Sequence, residues 1–365
     1  MTMPHISVLI DTYNHERFIE QAIVSVLEQD FPAGEMEIVV VDDGSTDSTP
    51  SIVDKFLPRL RYIRKKNGGQ ASAFNLAIPE LRGSIVAFLD GDDWWAKRKL
   101  SVVAETFEAN SGIAAVGHGF FEVRDTEPAR EMIVPVKQFR FDLSSVEAAR
   151  LAGSGITFLG TSRLSVRREV LSRIGPIPEE LVFCADTPIL AFALGLGGAV
   201  ILENPLCYYR LHARNMCAHD PSDIARLRHN FEITEMFLKY IPERLAQFGY
   251  SAEVSVALLG WIRVEMERAK RQLGEGGRWN VLRTELERFR TYYQHPTPGY
   301  VMFEGLVCAC ALLLPPQRFY QLLDWYGRNN FKRFRTMLGK AEPKVPPAFF
   351  QRLPVSPSDS QSDRA

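Results

Sequence analysis

The chain has 365 residues, 46% of them hydrophobic, enough for a sizeable core and about two domains. A formal net charge of −1 gives no electrostatic case for nucleic-acid binding. Five cysteines (Cys184, Cys207, Cys217, Cys308, Cys310) contain no C-x-x-C pair and leave an odd number, which argues against a disulfide framework or a thiolate zinc site and fits a reducing compartment.

Residues 1–11 show no basic stretch followed by an apolar core, so the chain is not expected to be secreted. Ile6 to Ile10 is an apolar, β-branched run and reads as a first strand. Asn14 stands where it would cap the next helix, with Glu16 in its first turn. Phe18, Ile19, Ala22, Ile23, Val26 and Leu27 make one apolar helical face, and Phe31-Pro32 ends it. Glu37 to Val41 is a second buried strand, running into Asp42-Asp43-Gly44-Ser45-Thr46-Asp47. An Asx turn and a helix cap account for Asp42 and Asp47 without any ligand. Strand, helix, strand, helix predicts a parallel sheet.

Leu60 to Ile63 reads as a short strand before Asn67-Gly68-Gly69-Gln70, whose glycine pair permits a tight turn or close approach to a ligand. Lys65 and Lys66 precede it, as phosphate contacts or as solvated surface lysines. Ile85 to Leu89 is a further buried strand, and Asp90-Gly91-Asp92-Asp93 follows at its carboxyl end, where open α/β sheets place their ligands. Three carboxylates within four residues repel one another. They are either a solvated acidic turn or an oxygen site for a hard divalent cation. No G-x-G-x-x-G follows the first strand and no G-x-x-x-x-G-K-[ST] occurs, which disfavours a nicotinamide oxidoreductase and a P-loop NTPase.

SVLIDTYNHERFIEQAIVSVLEQ, VVVDDGSTD, NGGQASAFN and FLDGDDWW, in that order and spacing, resemble the family 2 glycosyltransferases of GT-A fold. The likeness continues through GTSRLSVRREVLSRIGPIPEEL, FCADTPILAFALGLGG and ILENPLCYYRLHARN, covering roughly residues 5 to 216. It implies an α/β domain over 1–219, with a mostly parallel sheet flanked by helices. Residues 1–105 would be the nucleotide-sugar half and 106–219 the acceptor half. The donor nucleotide would meet Thr12, Tyr13, Asp43, Gly69, Gln70, Asp90 and Gly91. The DXD-type arrangement makes Asp92 the main ligand of Mn²⁺ or Mg²⁺, with Asp93 as a second, and His212 would complete the metal shell or touch the diphosphate. Asp186 would be the catalytic base that takes the acceptor hydroxyl's proton; a helix cap is its alternative reading.

Two departures stand out. Asp11 lies where the family usually has proline; it either alters nucleotide preference or is merely solvated, the second being the reading adopted. Ala185 replaces the usual glutamate before Asp186. The resemblance implies inverting transfer of one sugar from a UDP-, GDP- or dTDP-sugar to a glycan or lipid-linked glycan, in surface polysaccharide or glycolipid assembly on the cytoplasmic side. The rivals are a non-catalytic nucleotide-sugar-binding protein, favoured by Ala185, and a sugar-nucleotidyltransferase, which would want a Gly-rich basic loop after the first strand.

Beyond residue 216 the chain carries no family signal. His118 reads as a core or edge histidine. Residues 220–341 turn helical, around Phe231, Phe237 and Leu238, then Val254 to Val264, then Trp279 to Phe289. The apolar run Tyr300 to Leu314, interrupted by Glu304, is about 15 residues long and too short to span a bilayer. Trp325, Tyr326, Arg328, Phe331, Lys332, Arg333, Phe334 and Arg335 follow. Residues 299–340 thus suit either an anionic membrane surface or a buried helix followed by a solvated basic one. Residues 342–365 are Pro- and Ser-rich and are expected to be a disordered tail.

Overall fold

A computed structural model describes residues 5–124, 130–212, 215, 224–292, 298–328 and 350–355. It divides into two compact units: Met1–Ser144 with Gly155–Ala218 and Phe350–Ala365, and Ser145–Ser154 with His219–Phe349. The expected boundary near residue 219 is therefore corrected in one respect: the segment 145–154, assigned to the acceptor half, groups with the helical unit.

The first unit begins with β1 (Ile6–Thr12), α1 (Ile19–Leu27), β2 (Met36–Asp42), α2 (Thr49–Asp54), β3 (Arg61–Arg64), α3 (Gln70–Ala77) and β4 (Ile85–Asp90). Ile6, Val8, Leu9 and Ile10 are all fully buried, as are Val39, Val40 and Val41. Runs without alternation are what a sheet covered on both faces requires. The strands β3, β2, β1 and β4 lie in that order, all parallel. Register pairs Asp11 with both Val41 and Asp90, and Thr12 with Asp42, so the carboxyl ends of three strands share one edge.

Beyond β4 come β5 (Trp94–Trp95), α4 (Lys99–Ala109), β6 (Ala115–Arg124), β7 (Arg130–Pro135) and β8 (Phe139–Phe141). After α5 (Val146–Ser154), which belongs to the second unit, follow β9 (Ser165–Arg167), α6 (Arg168–Ile174), α7 (Asp186–Leu196) and β10 (Ala199–Leu211). The sheet is mixed here: β9 joins β4 to β6 antiparallel on both sides, while β10 runs parallel to β6. The short antiparallel pair Trp94–Tyr208 and Trp95–Cys207 brings the end of β10 onto the loop after β4. His118 on β6 is fully buried.

Two local expectations change. Asn14 does not cap α1, which starts at Ile19 without a side-chain cap. Asn14 has φ +56° and its Oδ1 accepts from Thr46 N at 2.8 Å. Glu16 Oε2 accepts from Ser48 N while Asp47 Oδ2 accepts from Glu16 N, so these side chains brace the β1 and β2 loops against each other. The second change concerns the tail. Within 342–365, residues Phe350–Val355 form β11, antiparallel to β7; the remainder of that segment lies outside the described residues.

The second unit holds α5, α8 (Ile224–Gln247), α9 (Ala252–Leu258), α10 (Gly260–Gln272), α11 (Arg278–Tyr292), α12 (Pro298–Leu313) and α13 (Pro316–Arg328). Val281, Val307, Ala311, Phe319 and Tyr320 form a core from α11, α12 and α13. Through it runs a chain of ion pairs: Arg268 to Glu285 at 3.1 Å, Glu285 to Arg288 at 2.7 Å, and Arg288 to Glu304 at 2.6 Å. The apolar run at 300–314 is thus one helix with two apolar faces. Val307 and Ala311 are buried, whereas Met302, Leu306 and Leu313 are 73%, 58% and 73% exposed. Among the described residues no helix is long and apolar enough to cross a membrane.

Candidate active site

The edge formed by β1, β2 and β4 collects acids, and each has a different environment. Asp42 is fully buried, its Oδ1 accepting from Ser45 N at 2.7 Å and its Oδ2 from the Tyr62 hydroxyl at 2.6 Å. Asp47 Oδ1 accepts from Thr49 N at 2.9 Å, a local turn. Four donors converge on Asp43: Lys65 Nζ at 2.6 Å, Asn67 Nδ2 at 3.2 Å, Gly68 N at 2.9 Å and Gly69 N at 2.7 Å. Asp43 therefore shapes the loop 65–69, and Lys65 is its ion-pair partner. Gly69 has φ +87° and a Cβ there would lie 2.6 Å from Val182 Cα, so only glycine lets this loop pass the segment before α7.

Gln70 is the hub of the site. Its Nε2 lies 3.1 Å from Asp90 Oδ1, 3.3 Å from Asp11 Oδ2 and 3.4 Å from Thr161 Oγ1, and its Oε1 accepts from Ala185 N at 3.0 Å. Asp90 is also held by Ser162, whose hydroxyl donates to Asp90 Oδ2 and accepts from Asp90 N, both at 3.1 Å. The Ser162 carbonyl in turn accepts from Trp95 Nε1 at 2.9 Å and Lys99 Nζ at 2.8 Å. Burial pushes the Asp90 carboxyl well above the usual range, and the charges of Asp11 and Asp92 push it further. Asp11 is raised to about 8 by burial, against the Gln70 hydrogen bond and with the Asp92 charge adding to the rise. Asp11 is therefore not the solvated loop acid expected: its Oδ1 is sealed from water and has no partner.

Asp92 and Asp93 point to different worlds. Asp92 Oδ2 lies 3.0 Å from His212 Nε2, 3.5 Å from Asn215 Nδ2 and 3.9 Å from His15 Nε2. Burial would raise its pKa, but the His212 hydrogen bond and the charge of His15 outweigh that and hold it below the usual range. Asp93 is buried; its Oδ1 accepts from Arg210 N at 2.8 Å and its Oδ2 has no partner. Burial, then the charge of Asp92, raises it to about 7. Arg210 clamps this turn from β10: Nε donates to the Asp92 carbonyl at 2.9 Å, and the guanidinium sits 4.6 Å from the Phe18 ring and 4.5 Å from that of Trp94. Gly91 is required by Thr12 and His15, since a Cβ would come within 2.8 Å of Thr12 Oγ1 and His15 Nδ1. Thr12 itself is buried and Tyr13 exposed.

Asp186 opens α7, yet its side chain reaches to another segment. Oδ2 accepts from Thr161 N at 2.7 Å and from Thr161 Oγ1 at 3.1 Å. Burial raises its pKa, and these Thr161 bonds oppose the rise. Its charge is felt at Asp11 and Asp90, so it belongs to the same cluster. Among the described residues, no group of three or more His, Cys, Asp or Glu side chains forms a ready cation site. The structure thus gathers Thr12, Gln70, Asp90, Gly91, Asp92, His212 and Asp186, leaves Asp43 and Gly69 in the bordering loop, and turns Asp93 inward. Sequence reasoning passed over His15, Arg210 and Asn215. Arg210 and Asn215 stand within the ILENPLCYYRLHARN stretch and His15 in the first loop, but only the fold shows what they face.

The chain matches a known family. The Glycosyl transferase family 2 model matches residues 7–175. The uncharacterized glycosyltransferase alr2836 of Nostoc sp. is 33% identical over 259 residues, 69% of this chain and 79% of that protein. Staphylococcus aureus TarS 1-349, in complex with UDP-GlcNAc, superimposes with a TM-score of 0.50 at 22% identity, covering 79% of this chain and 89% of that one. The mannosyltransferase PcManGT from Pyrobaculum calidifontis, in complex with GDP-Man and Mn²⁺, gives 0.51 at 20% identity over 89% of this chain and 85% of that one. The chain belongs to the family 2 glycosyltransferases, has their GT-A fold and is a nucleotide-sugar glycosyltransferase.

Proposed function

We propose that the chain transfers one sugar from a nucleotide-diphospho-sugar to a hydroxyl acceptor with inversion, Asp186 acting as the base. The observation that carries this is the setting of Asp186: one carboxylate oxygen is fixed by Thr161 N and Oγ1, beside the acids at the strand ends. Its raised pKa brings it toward the range in which a carboxylate is an effective general base. In the reaction Asp186 takes the acceptor hydroxyl's proton, the acceptor oxygen bonds to the anomeric carbon, and the bond to the diphosphate breaks with its electron pair leaving on phosphate oxygen. One base suffices, and no glycosyl-enzyme is formed.

The donor set at Asp92 fits a divalent cation: a carboxylate held ionised beside an imidazole, among acids whose mutual repulsion a cation would relieve. Asp92 and His212 would hold it, whereas Asp93, committed to Arg210 N, would fix the turn. Mn²⁺ or Mg²⁺ there would neutralise the charge that develops on the departing diphosphate. The neighbours' ligands, UDP-GlcNAc in one and GDP-Man with Mn²⁺ in the other, support a donor of this class. We assign the acceptor to a glycan or lipid-linked glycan of surface polysaccharide or glycolipid assembly, made on the cytoplasmic side. The exposed apolar stripe of α12 and the basic, aromatic sequence at 325–335 support a seat on an anionic membrane surface.

Asp186→Asn tests the central assignment. Turnover is expected to fall by roughly 10²–10⁴-fold, the usual worth of a positioned base, with donor affinity kept. Unchanged turnover would remove Asp186 from the chemistry, and wild-type protein that binds donor without turnover would favour the non-catalytic reading.

A further inference from the structure

The acceptors around the Gln70 amide outnumber its protons. The Gln70 amide has two N–H bonds, and three acceptors surround its nitrogen: Asp11 Oδ2 at 3.3 Å, Asp90 Oδ1 at 3.1 Å and Thr161 Oγ1 at 3.4 Å. Asp11 Oδ1 adds a fourth acceptor with no partner. Asp11 Oδ2 is the oxygen that shares the Gln70 amide with Asp90 Oδ1, and both residues are half-buried. Asp11 and Asp90 are paired in register on adjacent parallel strands, so their side chains leave the sheet from the same face. Both present a carboxylate oxygen to one point in space, now occupied by the amide nitrogen. Among the described residues Asp11 caps no helix and makes no ion pair, so no cation there supports its ionised form.

We propose that Asp11 is a specificity-determining residue of the donor site: together with Asp90 it reads a vicinal diol, the two hydroxyls bringing the protons that the pocket lacks. This rests on the donor-binding reading above and extends it to a residue that the family resemblance leaves out, since proline at this place would offer no acceptor. A nucleoside diphosphate presents such a diol in its ribose, and many transferred sugars present another. Placement at the end of β1, next to Thr12, favours the ribose. The consequence is discrimination against 2′-deoxynucleotide donors, a distinction that the nucleobase contacts cannot make.

The experiment is calorimetric titration of the full chain, with Mn²⁺ present, using UDP, GDP, 2′-deoxy-UDP and 2′-deoxy-GDP. For whichever base binds, the ribo form is expected to bind roughly tenfold to a hundredfold tighter than the deoxy form, the worth of a hydrogen bond to a charged group. In Asp11→Ala that ratio falls toward one, through loss of ribo affinity alone. Asp11→Asn, which preserves the shape of the side chain, also lowers the ratio and guards against a folding defect in the alanine variant. Equal affinity for the diphosphates, with an Asp11-dependent preference for UDP-glucose over UDP-2-deoxyglucose, would keep the diol reading and move it to the sugar. If neither comparison discriminates, or if Asp11→Ala weakens ribo and deoxy ligands alike, Asp11 does not read a diol. Failure of every diphosphate and nucleotide-sugar to bind wild-type protein would instead overturn the donor reading, and this proposal with it.

Discussion

Asp92 and Asp93 are sequence neighbours with opposite fates: one carboxylate is held ionised by His212 and His15, the other is driven toward neutrality by burial. Exchanging each for asparagine separates their roles. Asp92→Asn is expected to abolish any Mn²⁺ dependence of nucleotide binding, whereas Asp93→Asn changes Arg210 and the turn while leaving the metal response; the reverse pattern would exchange the assignments. Asp11 gives a pH test on metal-free protein. Its pKa is raised on folding from 3.8 to about 8, so the folded state holds the proton more tightly than the unfolded chain. The stability it contributes is complete below 3.8 and is lost as pH rises toward about 8. Asp90 and Asp93 act in the same direction. Melting temperature in the absence of divalent cations should therefore fall across the upper part of this window, and Asp11→Asn should flatten the fall. An identical profile in the variant would mean that Asp11 titrates as an ordinary carboxyl.

Helices of the second unit make separate claims. Glu285 on α11 is fully buried between Arg268 and Arg288, so Glu285→Gln removes the carboxylate they share and leaves Arg268 with Glu265 and Arg288 with Glu304. Losing a buried hydrogen-bond partner of a charged group costs about 1.5–3 kcal/mol, which denaturant unfolding would read directly; a change below about 0.5 kcal/mol would show that Glu265 and Glu304 already satisfy the arginines. On α12, Met302, Leu306 and Leu313 are exposed and lie outside the buried core cluster to which Val307 and Ala311 belong. Leu306→Glu with Leu313→Glu is expected to leave the melting temperature nearly unchanged and to weaken co-sedimentation with anionic vesicles by roughly tenfold or more. Equal sedimentation would reject the membrane seat. The two-faced character of α12 could not be read from its sequence, because a run apolar all round has no polar face to mark what is solvent.

Across the whole molecule, what was legible followed from local pattern. Unbroken apolar runs marked β1, β2 and β4, and acids directly after them marked the candidate site edge, since a parallel sheet places all its carboxyl ends together. Contacts between distant segments were not legible. His212 meets Asp92 and Thr161 meets Asp186 only because β10 and the segment before β9 return to that edge. Burial likewise escaped: Asp11 read as a loop acid because no local feature says that Gln70 covers it. The measurement that bears most directly on the account is the thermal stability of wild-type and Asp92→Asn protein against UDP, GDP, dTDP and CMP, each with and without Mn²⁺. A ligand at 100 times its Kd should add about 2.7 kcal/mol to the native state. At least one nucleoside diphosphate should do so, only with Mn²⁺ and only while Asp92 is intact. Stabilisation that ignores both the metal and Asp92, or no stabilisation by any of them, would contradict it.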